Sequence, residues 1–346
     1  MTTVLPIDPH TDPRWLEFLA RHPGSTIFHH PQWIRALETT YRYRPCSFGF
    51  VEEGRLTGLL PLLEIRSWLT GARGVSLPFS DFGGPLITSN ATLRSVADHC
   101  RSLLAEKHWK YVEFRGDVEI ASTVAGQHFK RHRLQLGKDT DAVFRGFDKS
   151  QTQRSVRKAE KSGVVVERST DPHSMDEFVR LNYITRKKHG MPPQPSSFFR
   201  NVHKFVIGTG LGFVSLARIG NAVAAAAVYL THNDTVYYKF GASDESLLKS
   251  RPNHALMWDA IRWGCEHGFK NFDFGRTDLD NEGLLEYKRG WGTVETDVVY
   301  RRFLGAATDA QAIGEQGLLE KVKPVFRRMP IPVLKIIGKV LYGHVG

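Results

Sequence analysis

The chain has 346 residues, 41% hydrophobic and 11% aromatic, which is enough to pack one large core or two ordinary ones and excludes a disordered chain. Its 47 Lys and Arg against 36 Asp and Glu leave a formal charge of +11, which favours polyanionic partners such as tRNA, nucleotide diphosphates, coenzyme A or an anionic membrane. Met1 to Asp12 lack the basic start and apolar core of a signal peptide, and the longest apolar run, Ala222 to Leu230, is too short for a bilayer span, so a soluble cytoplasmic protein is expected. Cys46, Cys100 and Cys265 are odd in number and far apart, which argues for core thiols rather than a disulfide framework or zinc site.

Taken in chain order, the elements occur twice. Trp15-Leu16-Glu17-Phe18-Leu19 has helical apolar spacing, and Met175-Asp176-Glu177-Phe178-Val179 repeats it 160 residues later. Each leads into a Pro-bearing loop (His30-Pro31; Pro192-Pro193-Gln194-Pro195) and another short helix. Ser47 to Leu56 reads as a strand, a tight turn at Gly54 and a return strand through Leu63; Gly212 to Ala222 reads the same way, with its turn at Gly220. Helical patterns over Leu93 to Lys107 and Ala255 to His267 then run into strands beginning at Lys110 and Lys270, 160 apart, each with a central acid, Glu113 and Asp273. The order predicts an α/β protein of two tandem units, each a mixed, mostly antiparallel sheet flanked by helices, spanning residues 1–145 and 146–305 and followed by a basic tail at 306–346.

Between the two repeats lies Gln153 to Gly163, a helix in which Arg154, Arg157, Lys158 and Lys161 follow i, i+3, i+4, i+7 spacing. Four neighbouring cations repel one another, so an anion in their midst explains the arrangement better than chance; a plain solvated helix face is the alternative. Arg186-Lys187-Lys188-His189-Gly190 ends the next helix, where cations complement the helix dipole.

The segments Phe240 to Glu245, Arg251 to Ile261 and Phe272 to Asp278 together resemble the second half of FemABX-like proteins of the GNAT acyltransferase superfamily, a likeness covering roughly residues 25 to 305. GNAT-like tandem units and N-acyl transfer follow as expectations. GNAT enzymes usually open the central helix with a glycine-rich turn that cradles the coenzyme A pyrophosphate. Here the turn is Ser250-Arg251-Pro252-Asn253-His254-Ala255, glycine-free, with Asn253 as the expected N-cap. The resemblance therefore implies an aminoacyl-tRNA donor first and acyl-CoA second, the latter as co-substrate, with no tightly bound cofactor and no metal.

Tyr287-Lys288 resembles the aromatic-lysine pair of the Fem proteins, which implies a lysine at the reacting carbonyl, stabilising its developing negative charge. The alternative is an ordinary exposed lysine before a strand. Arg276 is a candidate for carboxylate or phosphate, with Asp278 fixing it or accepting a proton; a turn stabilised by an Arg–Asp pair is the plainer reading. His254, Asp273 and Tyr238 are further candidate proton acceptors or orienters. The resemblance also places Arg186 and Asp81 at the acceptor side; for Asp81, in the glycine-rich run Ser80-Asp81-Phe82-Gly83-Gly84-Pro85, a plain turn is the simpler reading. From Leu318 onwards Lys and Arg alternate with apolar residues and Pro330 and Pro332 split the tail, so residues 318–343 are expected either to contact an anionic membrane peripherally or to dock on the protein. The reading is amide formation on an anionic, lipid-linked or small-molecule acceptor, with no DNA partner; a non-catalytic anion- or membrane-binding scaffold is the competing class.

Overall fold

The computed structural model describes residues 2–116, 118–305 and 316–346. The chain forms two compact units that interleave in sequence. The first comprises Met1–His128, Val298–Glu320 and Lys339–Gly346, and the second Phe129–Asp297 and Lys321–Gly338. Where a linear reading cuts at 145 and 305, each unit instead incorporates a strand from beyond the cut.

The first unit starts with β1 (Thr3–Pro6), α1 (Pro13–Arg21) and α2 (Pro31–Tyr41), continues through β2 (Arg44–Pro45), β3 (Phe48–Glu52), β4 (Arg55–Leu60), β5 (Leu63–Ser67), β6 (Gly71–Val75) and β7 (Leu86–Ile87), and then α3 (Asn90–Lys107) and β8 (Tyr111–Arg115). The return strand expected through Leu63 breaks into β4 and β5, which join different sheets. One sheet runs β1-β3-β4-β7, all antiparallel. In the other, β6 and β8 are parallel neighbours, as a crossover through α3 requires. Phe50, Leu60, Val96, Cys100, Trp109 and Phe114 fill the core between α3 and the strands.

The strand β9 (Val124–Gln135) carries the chain onward to α4 (Thr140–Arg145), a single π-type turn at Lys149–Gln153, α5 (Arg154–Lys161), β10 (Val164–Ser169), α6 (Pro172–Lys188) and α7 (Ser196–Phe205). The long hairpin of β11 (Gly212–Ile219) and β12 (Ala222–His232) follows, then β13 (Thr235–Ser243), α8 (Pro252–Glu266), β14 (Asn271–Asp278), α9 (Glu282–Arg289), β15 (Val294–Leu304), α10 (Gln316–Arg328) and α11 (Ile331–Leu341). The order in the second unit's sheet is β10-β11-β12-β13-β14-β9, antiparallel except for the parallel pair β13 and β14, whose crossover is α8. Of the expected tail, residues 306–315 lie outside the described residues; the rest is α10 and α11, split at the predicted prolines.

The duplication is visible in local chemistry. α1 and α6 both open on Asp-Pro: Asp12 accepts from the Arg14 N–H and Asp171 from the His173 N–H, while Pro13 and Pro172 occupy first-turn positions where a missing donor costs nothing. The hairpin turns at Gly54 and Gly220 both have positive φ, +76° and +55°. The central acids of β8 and β14 are both buried against arginine. Glu113 binds Arg115 and Arg302, the latter on β15; Asp273 binds Arg131 on β9. Each unit thus receives its arginine from a strand that the other half of the chain begins.

Candidate active site

The site of the second unit is set by two irregular strands. β13 pairs with β12 along its length, but Val228 faces Phe240 while Tyr229 faces Tyr238, so Lys239 is an extra residue that bends the strand. β13 meets β14 only at Thr235–Asn271, Val236–Phe272 and Tyr237–Asp273. Past that point β14 bulges against β9, its register skipping from Asp273–Arg133 to Arg276–Arg131, with Gly275 at φ +70°. Two neighbouring strands that stop pairing open a wedge, and Tyr238 is the first β13 residue beyond the last pair.

Asp273 makes the bulge. Its Oδ1 accepts the Gly275 N–H at 2.8 Å, and Oδ2 accepts from Arg131 Nη2 at 2.6 Å and Nε at 2.8 Å, with the side chain 0% exposed. A carboxylate so enclosed and so fully engaged is a structural anchor, which corrects its expected place among the proton acceptors. Nor is Gly275 to Asp278 a turn: β14 runs through it, Arg276 lies over the Phe129 ring at 3.9 Å, and Asp278 is exposed at the strand's end.

Lys288 is not an exposed lysine before a strand. It sits in the last turn of α9, whose N-cap Asn281 accepts from the Leu284 N–H, and it is 2% exposed. Its ammonium donates to the carbonyls of Gly275 and Arg276, both at 3.1 Å, tying α9 to the bulge.

Aromatic rings pack behind the wedge. His254, near the start of α8, meets Tyr287 edge-on at 5.2 Å and stacks on Trp291 at 5.8 Å; Tyr229, whose hydroxyl donates to the Leu256 carbonyl, lies 5.8 Å from Tyr238. Burial pushes the Tyr238 phenol up to about 12 and the Tyr287 phenol higher still, so both remain neutral hydrogen-bond donors at neutral pH. Burial, helped by the Arg251 charge, pushes His254 down to about 4, which leaves a neutral imidazole and a weak base.

His29 and His30 of the first unit are also pushed down to about 4 by burial. For all three histidines the unfolded chain binds protons before the folded one, so their contribution to stability is present above the ordinary value of 6.5 and is lost as pH falls towards 4. Urea midpoints measured across that window should fall with pH; a flat profile would show that the imidazoles are solvated.

The hydroxyl of Tyr238 lies against the Gly241 Cα, where a Cβ would overlap it. Gly241→Ala should therefore cost about 1–3 kcal/mol through overpacking. Adding Tyr238→Phe should restore much of it, because the overlapping atom is the hydroxyl. Equal unfolding midpoints for wild type and Gly241→Ala would show that the ring has room to move.

The predicted cationic stripe forms. Val156 and Ala159 face inward on α5, while Arg154, Arg157, Lys158 and Lys161 are exposed. Arg157 stands over the Phe144 ring at 5.5 Å and donates to Gln153. From Phe144 the rings continue without a break: Phe147 at 5.6 Å, Trp291 at 5.1 Å from Phe147, then Tyr287 and His254. The stripe, Tyr287 and His254 are thus brought together by Phe144, Phe147 and Trp291, which sequence reasoning did not mark because single aromatics read as core.

Other expectations separate from this group. Arg186 donates to the Pro192 carbonyl at 3.3 and 3.4 Å and so ties down the loop after α6. Asp81 belongs to the first unit, where its carbonyl accepts from the Tyr300 hydroxyl. The N-cap of α8 is Arg251, at φ +59°, not Asn253; no side chain caps the helix, and the Arg251 carbonyl accepts from the N–H groups of both His254 and Ala255. The Ala255 bond is the ordinary first bond of the helix, but the His254 N–H, which would face a pyrophosphate, is engaged by the turn itself, and Pro252 has no N–H to offer. Among the described residues no cluster of His, Cys, Asp or Glu fits a metal ion.

Residues 148–289, which hold the wedge and the stripe, match the acetyltransferase (GNAT) domain. The solved structure of FemX aligns with a TM-score of 0.71 at 16% identity, covering 93% of this chain and 100% of that one. The chain is FemABX-like and has the GNAT fold. The tandem GNAT protein from the clavulanic acid biosynthesis pathway aligns over 89% of this chain and 100% of its own with a TM-score of 0.56 at 14% identity, in keeping with the duplication. In sequence, the lipid II:glycine glycyltransferase of Staphylococcus haemolyticus is 35% identical over 138 residues, 36% of this chain and 30% of that protein. The match thus spans less than a third of that relative's length. No helix among the described residues is long and apolar enough to cross a membrane.

Proposed function

We propose that this FemABX-like chain forms an amide bond, transferring an aminoacyl group from aminoacyl-tRNA to an amine of a cell-envelope precursor, in the cytoplasm or on the inner face of the membrane. The observation that carries the reading is the exposed cationic stripe of α5, which the buried rings Phe144, Phe147 and Trp291 hold in the same unit as the wedge between β13 and β14. The stripe suits a phosphate backbone and the wedge suits an acyl group. The matched relatives' name, lipid II:glycine glycyltransferase, supports the aminoacyl class and an envelope acceptor. Acyl-CoA is the second donor, disfavoured by the engaged His254 N–H and the missing N–H of Pro252 at the start of α8.

In the proposed reaction the acceptor amine attacks the acyl carbonyl carbon. A C–N bond forms, the C–O bond to the tRNA ribose breaks, and the proton shed by nitrogen leaves with the departing oxygen. This needs position and electrostatics rather than a protein nucleophile. Tyr238, neutral and at the mouth of the wedge, donates to the developing oxyanion. Lys288 keeps the β14 bulge in shape.

The test is incubation of the protein with labelled acyl-CoA and, separately, with charged tRNA. Consumption of charged tRNA dependent on an amine acceptor is the expected result, and consumption of acyl-CoA alone would overturn the donor assignment. Reversing Arg157 and Lys158 to Glu should weaken tRNA binding about tenfold or more and flatten its dependence on salt. Unchanged affinity in a filter-binding titration would separate the stripe from the donor.

A further inference from the structure

The tail offers two faces with different tasks. Leu334 and Gly338 of α11 are buried, and Gly338 lies so close to the Pro193 carbonyl that no Cβ would fit, so this face is the one that packs. On the opposite side Val333, Ile336 and Val340 are 42%, 67% and 54% exposed, and helical spacing puts them on one arc, with the exposed Lys335 and Lys339 along its border. From Lys321 to Gly346 the sequence carries six Lys and Arg and no acid. An apolar arc bordered by lysines matches the layering of a bilayer interface, where acyl chains, headgroup phosphates and water follow within a few ångströms.

We infer that the outer face of α11 docks the protein on an anionic lipid surface. The charge decides for lipid over a second copy of this chain, since another +11 molecule presenting the same acid-free tail would be repelled. The inference goes beyond the transfer reading, and its readout requires no donor, so the two fail separately.

The experiment is co-sedimentation of the full chain with vesicles of phosphatidylcholine, with or without phosphatidylglycerol. Binding to the anionic vesicles, weakened by added salt, is the expected result. Val333→Asp with Ile336→Asp should lower partitioning about tenfold or more. Lys339→Glu should weaken binding to anionic vesicles only. Unfolding midpoints should stay at the wild-type value, because all three side chains are exposed. Failure of the wild type to bind anionic vesicles would overturn the inference. So would binding by the aspartate variant equal to that of the wild type, or lipid-free self-association of the wild type that the aspartate variant abolishes.

Discussion

Asp273→Ala is expected to be the most damaging single substitution in the second unit, lowering stability by about 3–5 kcal/mol, because it removes the fully buried carboxylate that binds the Arg131 guanidinium through two nitrogens. The Gly275 N–H loses its acceptor as well, so the bulge that parts β14 from β13 loses its lock. Asp273→Asn, which keeps the shape and one acceptor oxygen, should cost less. Glu113→Ala in the first unit is the internal comparison: burial works to raise the Glu113 carboxyl, the guanidinia of Arg115 and Arg302 more than offset it, and the net shift is downward. Its removal should cost a similar amount. Denaturant midpoints for the three variants decide the matter; a loss under about 1 kcal/mol for Asp273→Ala would remove the carboxylate from its structural role and return it to the list of chemical candidates.

Lys288→Ala should lower transfer by about two orders of magnitude or more, and stability by about 1–3 kcal/mol, because the carbonyls of Gly275 and Arg276 lose the ammonium that binds them. The combination separates two roles. A lysine that only stabilises the oxyanion would reduce kcat with an unchanged unfolding midpoint. A positioning lysine lowers both, and transfer should recover in part when the bulge is stabilised by bound donor. Full transfer with an unchanged midpoint would exclude Lys288 from either role.

Much of the fold was legible because the duplication repeats local signals at a nearly constant offset. Asp12-Pro13 and Asp171-Pro172 start helices, Gly54 and Gly220 turn hairpins, and Lys110 and Lys270 precede parallel strands. Each is a short-range preference that a few neighbouring residues enforce. The cationic stripe was legible for the same reason, since i, i+3, i+4 spacing alone sets the exposed face of α5. The bulge was not. Asp273 and Arg131 are 142 residues apart, and nothing near either announces the pairing. The burial of Lys288 was equally hidden, because eight residues of α9 look amphipathic whether the last lysine points to water or to two carbonyls.

What the sequence by itself determined was the order of elements, the duplication, the glycine-free turn before α8 and the place of the positive charge, because all of these are local or periodic. Only the tertiary structure decided which charged groups are anchors and which are accessible, and that each unit borrows a strand begun by the other half of the chain. The physical reason is that burial and long-range pairing depend on what the folded chain brings alongside a residue. Asp273 and Glu113 look like candidate acids in the sequence, and strands β9 and β15 turn them into the fixed anions of two buried ion pairs.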